Sequence, residues 1–263
     1  MTISSPQNGT IRAVSLLHTR KGRDAQEQIL VEGPHAIQQA FESGLIGLQF
    51  FAAADFSSDH LPPALLMGVE CAVVTEKILA RLGTTDSPPT CVAVFKKPPA
   101  PAESWQTLVP VETARWVYLD GVQDPGNAGT LIRSAAAFGL SGVLLGPGSV
   151  DAWNPKVIRA SAGAVFTLPV LSVTDASLDG LSDDWRLVAA VGDKNARDYR
   201  TVTHQKPWIL LLGNEGAGLR ERWLQHPRVN SVTIPVSRRV ESLNVAVSGS
   251  ILMAALCGEG LRA

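Results

Sequence analysis

Five polar side chains lie in or next to three loops, two of them rich in glycine, and their types suit the chemistry of phosphates and hydroxyl groups. They are Asn127, Arg133, Glu215, Ser242 and Asn244. Arg133 is the sole charged residue between Pro125 and Val150. An arginine gains nothing from the nearby N-terminus of a helix, whereas a guanidinium pairs well with phosphate oxygens. The pattern therefore predicts an anionic partner for Arg133 from outside the chain, such as an RNA phosphate.

Each of these polar residues also has a structural explanation. Asn127 is a candidate N-cap of a helix, which would place Arg133 in the second turn. Glu215 suits the N-terminus of a helix predicted at AGLRERWL. Ser242 and Asn244 are candidate caps of the uncharged helix predicted at SLNVAVSGSILMAAL. The wide apolar surface of that last helix predicts burial or a subunit interface.

The three loops follow apolar segments that we interpret as parallel strands. RWVYLDGV, RLVAAVGD, WILLLGNEG and SVTIPV lack the alternation of half-buried strands, which is typical of strands buried on both faces. NAGTLIRSAAAFG and GVLLGP add a helix and a strand, so that the region contains a βαβ unit. Ligands bind beyond the carboxyl ends of such strands. Periodicity alone predicts a doubly wound, Rossmann-like sheet with the three loops at that edge.

A separate α/β region precedes these strands. ILVEGPHAIQQAFESGLIGLQFFAA reads as strand, helix and strand, CAVVTEKILARLG repeats the strand and helix, and TCVAVFKK ends the region as a strand. The Pro- and Ala-rich KPPAPAESWQTLVPVE predicts a linker at 97–112. We therefore expect one domain at 1–96 and another at 113–263. Residues 1–23 contain four cations and no acid, so the N-terminus is locally basic.

Composition and absent motifs argue against several classes of protein. The 263 residues, 45% hydrophobic with a net charge of -1, fit a soluble globular protein. No segment reaches the roughly 18 apolar residues of a membrane span, so we expect an untargeted cytoplasmic protein. The three cysteines lack the spacing of a zinc site and are expected to be reduced core residues, with no metal bound. The missing G-x-G-x-x-G, G-x-x-x-x-G-K-[ST] and G-x-S-x-G patterns disfavour nicotinamide enzymes, P-loop enzymes and hydrolases.

The three loops resemble the three motifs of the SpoU branch of the SPOUT RNA methyltransferases. DPGNAGTLIRSA resembles the first motif, N-x-G-x-x-x-R; LLLGNEGAGL resembles the second and IPVSRRVESLNVAVS the third. WNPKVIRASAGAVFTLPV, between the first two, is also similar to the family. NGTIRAVSLLHTRKGRDAQEQILVEG and TCVAVFKKP resemble the L30e-like substrate-binding domain of ribosomal RNA members. Arg238 departs from the family, which commonly carries glycine there, so we expect it to narrow the cofactor loop or to contact RNA.

This resemblance implies an α/β fold with a C-terminal parallel-sheet SPOUT domain tied in a deep trefoil knot, and an N-terminal L30e-like α/β domain. It implies a homodimer that uses S-adenosylmethionine to methylate a ribose 2'-hydroxyl of RNA. By similarity, the five polar residues above are catalytic. The residues expected to hold the cofactor are Gly213, Asn214, Gly218, Ile234, Val236 and Leu243. The residues expected to bind RNA are Arg12, Lys21, Arg23, Lys156, Arg159 and Arg239.

Several alternatives remain open on the sequence. Large-subunit rRNA is the expected substrate because of the N-terminal domain, and tRNA is the alternative. An rRNA methyltransferase that confers antibiotic resistance is a variant of the first alternative. A non-catalytic RNA-binding or ribosome-assembly protein is an alternative from a different class of protein. Retention of all five polar residues favours an enzyme. Because a guanidinium stays protonated, we expect Arg133 to hold a phosphate and stabilise the developing oxyanion, while an RNA phosphate or water takes the proton.

Overall fold

The structure is a computed structural model that describes residues 2–57, 59, 61–85, 87–99, 104–193, 195–202, 207–237 and 239–257. Its strands are β1 (Thr2–Ile3), β2 (Gln28–Glu32), β3 (Gly47–Ala52), β4 (Glu70–Val74), β5 (Cys91–Lys96), β6 (Arg115–Asp120), β7 (Gly142–Leu145), β8 (Val170–Ser172), β9 (Arg186–Ala190), β10 (Arg197–Asp198), β11 (Trp208–Gly213) and β12 (Val229–Thr233). Its α-helices are α1 (Gly9–Ser15), α2 (Arg20–Gln26), α3 (Pro34–Glu42), α4 (Pro63–Leu66), α5 (Glu76–Leu82), α6 (Pro125–Ala137), α7 (Pro155–Ala160), α8 (Ala176–Asp179), α9 (Glu221–Leu224) and α10 (Val245–Cys257).

The described residues fall into two compact units. The first unit combines Met1–Pro99 with Trp153–Thr167, and the second combines Ala100–Ala152 with Leu168–Ala263. Residues 153–167, which lie between the first and second motifs, therefore belong to the first unit, where α7 packs against β2.

The first unit contains a five-stranded mixed sheet in the order β1-β4-β3-β5-β2. β5 runs antiparallel to β2 and β3, whereas β4 is parallel to β3 and β1. The apolar side chains of α1 and α5 pack with the sheet, and Ile11, Leu17 and Phe51 are buried in this core. The strands and helices predicted for this region are all present.

The second unit contains a seven-stranded parallel sheet in the order β10-β12-β9-β11-β6-β7-β8. Every residue of β11 is buried, which confirms the prediction from its unbroken apolar run. Helices α6 and α10 pack on one another, and α10 also contacts β11. The α/β fold class is confirmed, while the knot remains a prediction.

Burial was predicted correctly for most tryptophans and for two of the three cysteines. Five of the six tryptophans are buried, as expected: Trp105, Trp116, Trp185, Trp208 and Trp223. Cys91 and Cys257 are buried, but Cys71 is exposed, so its assignment to the core was wrong. Cys71 lies on β4, whose only neighbour on one side is the two-residue β1, and most of β4 is open to solvent. None of the described helices is long and apolar enough to cross a membrane.

Candidate active site

The three predicted motif loops meet at one edge of the parallel sheet. Residues 121–124 follow β6, and residues 214–219 follow β11, the strand paired with β6. Residues 234–244 connect β12 to α10. At the end of this connection, Asn244 donates a hydrogen bond to Asn127 of α6. The third loop therefore reaches the other two at Asn127.

The carboxylate of Glu215, in the second loop, connects this loop to the first by hydrogen bonds. Its Oε1 accepts a hydrogen bond from Asn127 Nδ2 at 2.9 Å, and its carboxylate also accepts from the backbone amides of Asp124 at 3.3 Å and Gln123 at 3.4 Å. Burial raises the pKa of Glu215, but the hydrogen bonds from Asn127 and the backbone amides outweigh it, so that the pKa is lowered. The side chain is therefore ionised at neutral pH and organises the first loop as an acceptor.

Asn127 extends this arrangement to the third loop. Its Oδ1 accepts from Asn244 Nδ2 at 3.0 Å, while Asn244 Oδ1 accepts from the backbone amides of Ala246 at 2.8 Å and Val247 at 3.3 Å. Asn244 is thus both the N-cap of α10, as expected, and a donor to the site. Glu215, Asn127 and Asn244 form one hydrogen-bonded chain across three loops, which we call the Glu-Asn-Asn chain.

Two structural explanations considered from the sequence are wrong. Asn127 does not cap α6, because the helix begins at Pro125 and the side chain of Asp124 accepts from the Asn127 amide at 2.8 Å. Proline favours the first helical position, which extends the helix two residues upstream of Asn127. Glu215 does not lie at a helix N-terminus, because α9 begins only at Glu221.

Arg133 stands apart from the Glu-Asn-Asn chain. It is the ninth residue of α6 and so lies in the third turn, not the second. Its side chain is exposed and makes no hydrogen bond or ion pair with any residue that the structure describes. Ser242 is likewise exposed and has no hydrogen bond within the described part of the chain. The structure therefore brings together three of the five predicted residues and leaves two open to an external partner.

The second loop folds back tightly on itself. Asn214 and Gly218 exchange backbone hydrogen bonds of 3.0 and 2.9 Å. A Cβ on Gly213 would lie 2.2 Å from the carbonyl carbon of Gly218, so this turn requires glycine at 213. Asn214 Oδ1 accepts from the amides of Gly216 and Ala217, at 2.9 and 3.0 Å, which fixes the tip of the loop.

The third loop offers apolar surface beside this turn. Ile234 and Leu243 are half-buried, while Val236 and Val240 are 38% and 51% exposed. Uncovered apolar side chains next to tightly turned backbone suit a ligand with an adenine ring and a thioether chain. The residues present therefore fit S-adenosylmethionine. Among the described residues, no three His, Cys, Asp or Glu side chains gather as a metal site requires.

The cations predicted to bind RNA divide into two groups. Arg12, Lys21, Lys156 and Arg239 are exposed. Arg159 is partly exposed, and its Nη1 lies 3.3 Å from Oε1 of the buried Glu32, so part of its charge is already paired. Arg238 lies outside the described residues.

Arg23 was wrongly predicted to bind RNA. It is 2% exposed, and its Nη1 donates to the carbonyl of Leu17 at 2.8 Å. The neighbouring Gly22 packs so closely on Leu16 that a Cβ there would lie 2.0 Å from the Leu16 oxygen. This close contact of α2 with the preceding turn encloses the Arg23 side chain, which therefore stabilises the first unit.

The structure also identifies charged residues that the sequence interpretation missed. Asp124 followed by Pro125 is a recognisable start signal of a helix, and it was overlooked in favour of Asn127. Asp120 and Arg220 form an ion pair between the first two loops. They lie 100 residues apart, and no local pattern links them.

A seven-stranded parallel sheet whose carboxyl edge carries a chain of hydrogen-bonded polar side chains is typical of an α/β enzyme that binds its ligands at that edge. Comparison with known families is more specific. Residues 114–254 match the SpoU rRNA Methylase family, and residues 8–93 match the MRM3-like substrate binding domain. The chain therefore belongs to the SpoU rRNA methylase family, and it is an RNA methyltransferase that uses S-adenosylmethionine.

Relatives and solved structures cover the whole chain. The 23S rRNA (guanosine(2553)-2'-O)-methyltransferase RlmP of Bacillus subtilis (strain 168) is 33% identical over 97% of this chain and 99% of that protein. The crystal structure of an RNA 2'-O ribose methyltransferase matches with a TM-score of 0.87 and 30% identity over 100% of both chains. An AdoMet-bound rRNA methyltransferase from Sinorhizobium meliloti matches with a TM-score of 0.85 and 27% identity, over 100% of this chain and 99% of that one.

Proposed function

We propose that this enzyme methylates a ribose 2'-hydroxyl in large-subunit rRNA. In this proposal residues 113–263 form the methyltransferase domain, residues 1–96 bind the substrate and residues 97–112 link them. The observation that carries the proposal is the Glu-Asn-Asn chain, because it joins three motif loops, while Arg133 and Ser242 are exposed and have no partner among the described residues. The relatives described above, which act on 23S rRNA or rRNA by name, support the choice of substrate.

The proposed roles follow from the hydrogen bonds. Glu215 and Asn244 use both sides of the Asn127 amide, so that Asn127 is held in one orientation beside the second loop. Arg133 has no partner among the described residues, so its guanidinium donors can bind an RNA phosphate and the oxyanion that develops on the ribose oxygen. Because the pKa of Glu215 is lowered, this carboxylate is a weak base. The proton therefore passes to an RNA phosphate oxygen or to water.

S-adenosylmethionine, when bound, supplies a methyl group activated by its sulfonium. We assign its binding to the second and third loops, where backbone groups and apolar side chains dominate. The proposed residues are Gly213, Asn214, Gly218, Ile234, Val236 and Leu243. Ser242 lies within the same stretch of the third loop, and its free hydroxyl suits a hydrogen bond to the cofactor or the ribose.

RNA binding is proposed for the exposed cations. Arg12, Lys21, Lys156 and the partly paired Arg159 all belong to the first unit, whose N-terminal segment is basic. Arg239 lies between Val236 and Val240 of the third loop and adds an exposed cation of the second unit. Neutralising phosphates releases counterions, so binding through these residues weakens as salt rises.

A homodimer is proposed from the surface of α10. Val247, which is 49% exposed, Ile251 and Ala254 are spaced four and three residues apart, and so share one face of the helix. An uncovered apolar stripe of this kind is typical of a subunit interface. Light scattering should show a dimer for the wild type and a monomer for Val247→Glu; a monomeric wild type would contradict the proposal.

The decisive experiment uses methyl-labelled S-adenosylmethionine with 23S rRNA, 16S rRNA or total tRNA. Products are digested to nucleosides and analysed by mass spectrometry, which separates a methyl group on the ribose from one on the base. We expect a 2'-O-methyl nucleoside from 23S rRNA, and none with Arg133→Ala as the matched control. Label confined to tRNA would instead support the alternative substrate. A methylated base, or no label from any RNA while cofactor binds, would overturn the proposed reaction.

A further inference from the structure

A charged cluster lies where β6 and β11 end, next to the Glu-Asn-Asn chain. Asp120, the last residue of β6, is 1% exposed. Its Oδ1 accepts from Arg220 Nε at 2.6 Å, and its Oδ2 accepts from the Arg220 backbone amide at 2.9 Å. One carboxylate thus fixes both the side chain and the backbone of Arg220.

Asp175 holds the opposite side of the same guanidinium. It accepts from Arg220 Nη1 at 2.9 Å and Nη2 at 2.7 Å, and from the Tyr118 hydroxyl at 2.8 Å. Hydrogen bonds from Arg220 lower the pKa of Asp175, and hydrogen bonds to Asp175 and Asp120 raise the pKa of Arg220. With its nitrogens engaged in this way, Arg220 has little capacity left for an RNA phosphate.

The position of Arg220 in the chain gives the cluster its significance. Arg220 directly follows the second loop, and Asp120 directly precedes the first. At the other end of the second loop, Asn214 Nδ2 donates to the carbonyl of Gly121 at 2.8 Å. Both ends of the second loop are therefore tied to consecutive residues of the first. Glu215 lies between these two ties.

Stability alone is a weak reason for such a cluster. Asp120 is buried, but the Arg220 side chain is 41% exposed, and a partly exposed ion pair adds little to stability. Apolar residues would not hold a backbone amide and a guanidinium in one arrangement, as Asp120 does. The Asp120–Arg220 pair therefore gives the second loop a defined position, which a hydrophobic contact would not do.

We propose that Arg220, held by Asp120, is a positioning residue for methyl transfer. It keeps the second loop in register with the first, so that Glu215 reaches Asn127 and the backbone of residues 213–218 presents a formed cofactor site. The inference rests on the proposed function for its catalytic consequence. The loop geometry itself is independent of which RNA is the substrate.

The test compares Arg220→Gln and Arg220→Lys with Arg222→Gln. Arg222 is a matched control, because it pairs with Asp175 and Asp179 but not with Asp120. In the protein without cofactor or RNA, hydrogen exchange measured by mass spectrometry should become faster in peptides covering 121–127 and 213–220 of Arg220→Gln. We expect exchange elsewhere, and throughout Arg222→Gln, to stay as in the wild type.

The same variants should separate binding from turnover. Well below the melting temperature, Arg220→Gln should raise the Kd for S-adenosylmethionine several-fold, and should lower kcat by about 10- to 100-fold with little change in KM for RNA. Arg220→Lys should recover part of both, since it restores the charge but not the bidentate geometry. A fall in melting temperature with wild-type exchange, Kd and kcat would overturn the proposal and leave Arg220 a structural residue.

A second variant covers the case in which Arg220→Gln does not fold. Asp120→Asn keeps the size and one acceptor oxygen while removing the charge, and should show the same local exchange and the same rise in Kd. Wild-type exchange and Kd in this variant would also contradict the proposal. Because neither readout involves RNA, failure of wild-type methylation would overturn the proposed function without affecting these outcomes.

Discussion

Arg133, in the third turn of α6, and Arg220, directly after the second loop, belong to the same unit, yet their surroundings are opposite. The side chain of Arg133 is exposed and has no partner among the described residues. Arg220 contacts Asp120, Asp175 and the Tyr118 hydroxyl. An arginine held by two carboxylates and a hydroxyl of its own chain serves to build a site. One that has no partner among the described residues can act on a ligand that the chain does not encode.

The first unit repeats this contrast. Arg12 is exposed on α1, whereas Arg23 is buried and donates to the carbonyl of Leu17. Both were predicted from the sequence to bind RNA because both lie in the same basic segment. The comparison shows that the surroundings, and not the charge, decide whether an arginine serves the substrate or the fold.

The largest effect is expected for Arg133→Ala. Loss of a donor aimed at a developing oxyanion typically costs about 100-fold or more in kcat. Because the side chain touches no described partner, the free energy of unfolding should change by less than about 0.5 kcal/mol. Single-turnover methylation and urea denaturation measure the two quantities. Near-wild-type turnover would remove Arg133 from the mechanism and end its contrast with Arg220.

A pair of variants at Asn244 separates its two hydrogen-bonding roles. Asn244→Asp keeps an N-cap for α10 but loses the donor to Asn127, while Asn244→Ala loses both. Both should lower kcat by about 10-fold through the misplaced Asn127, and only the alanine variant should lose about 1 kcal/mol of stability. Melting temperature and kcat of the two proteins provide the check. Full activity in Asn244→Asp would show that capping is its whole contribution.

Acidification tests the hydrogen bonds of Glu215. Its pKa in the folded protein is below the usual 4.5, so its contribution to stability is complete above that value and is lost as pH falls through the folded pKa. Glu215→Gln is neutral at every pH. The difference between the urea midpoints of wild type and variant at pH 7 should therefore narrow at pH 4. Asp175 also has a lowered pKa, but it is present in both proteins, so its effect cancels from the difference between their urea midpoints. A difference that is the same at pH 7 and pH 4 would contradict the hydrogen bonds assigned to Glu215.

The smallest effect is expected for Arg12, which we compare with the buried Arg23 of the same segment. Arg12→Gln should reduce the slope of log K against log salt for RNA binding by about 0.9 and leave stability unchanged. Arg23→Gln should instead cost about 1–3 kcal/mol of stability, because a buried carbonyl loses its donor. Salt titrations and urea denaturation compare the two. A reduced salt slope for Arg23→Gln would return it to the RNA-binding residues.

Most of the fold was predictable because the parallel strands are buried on both faces. The unbroken run WILLLG in β11 admits few other interpretations, and the same holds for RWVYLD in β6. Strand order was not predictable, because pairing β12 with β9 and β9 with β11 depends on contacts between distant segments. The assignment of 153–167 to the first unit is of the same kind.

The site was predictable in composition and less so in geometry. Residue types and the resemblance indicated Asn127, Glu215 and Asn244, but not that they form one hydrogen-bonded chain. The N-cap was misplaced because Asp124 and Asn127 are both good capping residues, and only the position of Pro125 distinguishes them. Burial of Arg23 depends on how tightly α2 packs on the preceding turn, which no charge pattern reveals.

The 117 residues that separate Asn127 from Asn244 have a consequence for how the enzyme is made. At about 5–20 residues per second, a ribosome needs roughly 6 to 23 seconds to add them. During that interval the emerging chain already contains Asn127 but lacks the Asn244 side chain that donates to it. The Glu-Asn-Asn chain is therefore completed only long after its first member has been synthesised, and until then Asn127 has no more than its hydrogen bond to Glu215 to orient its side chain.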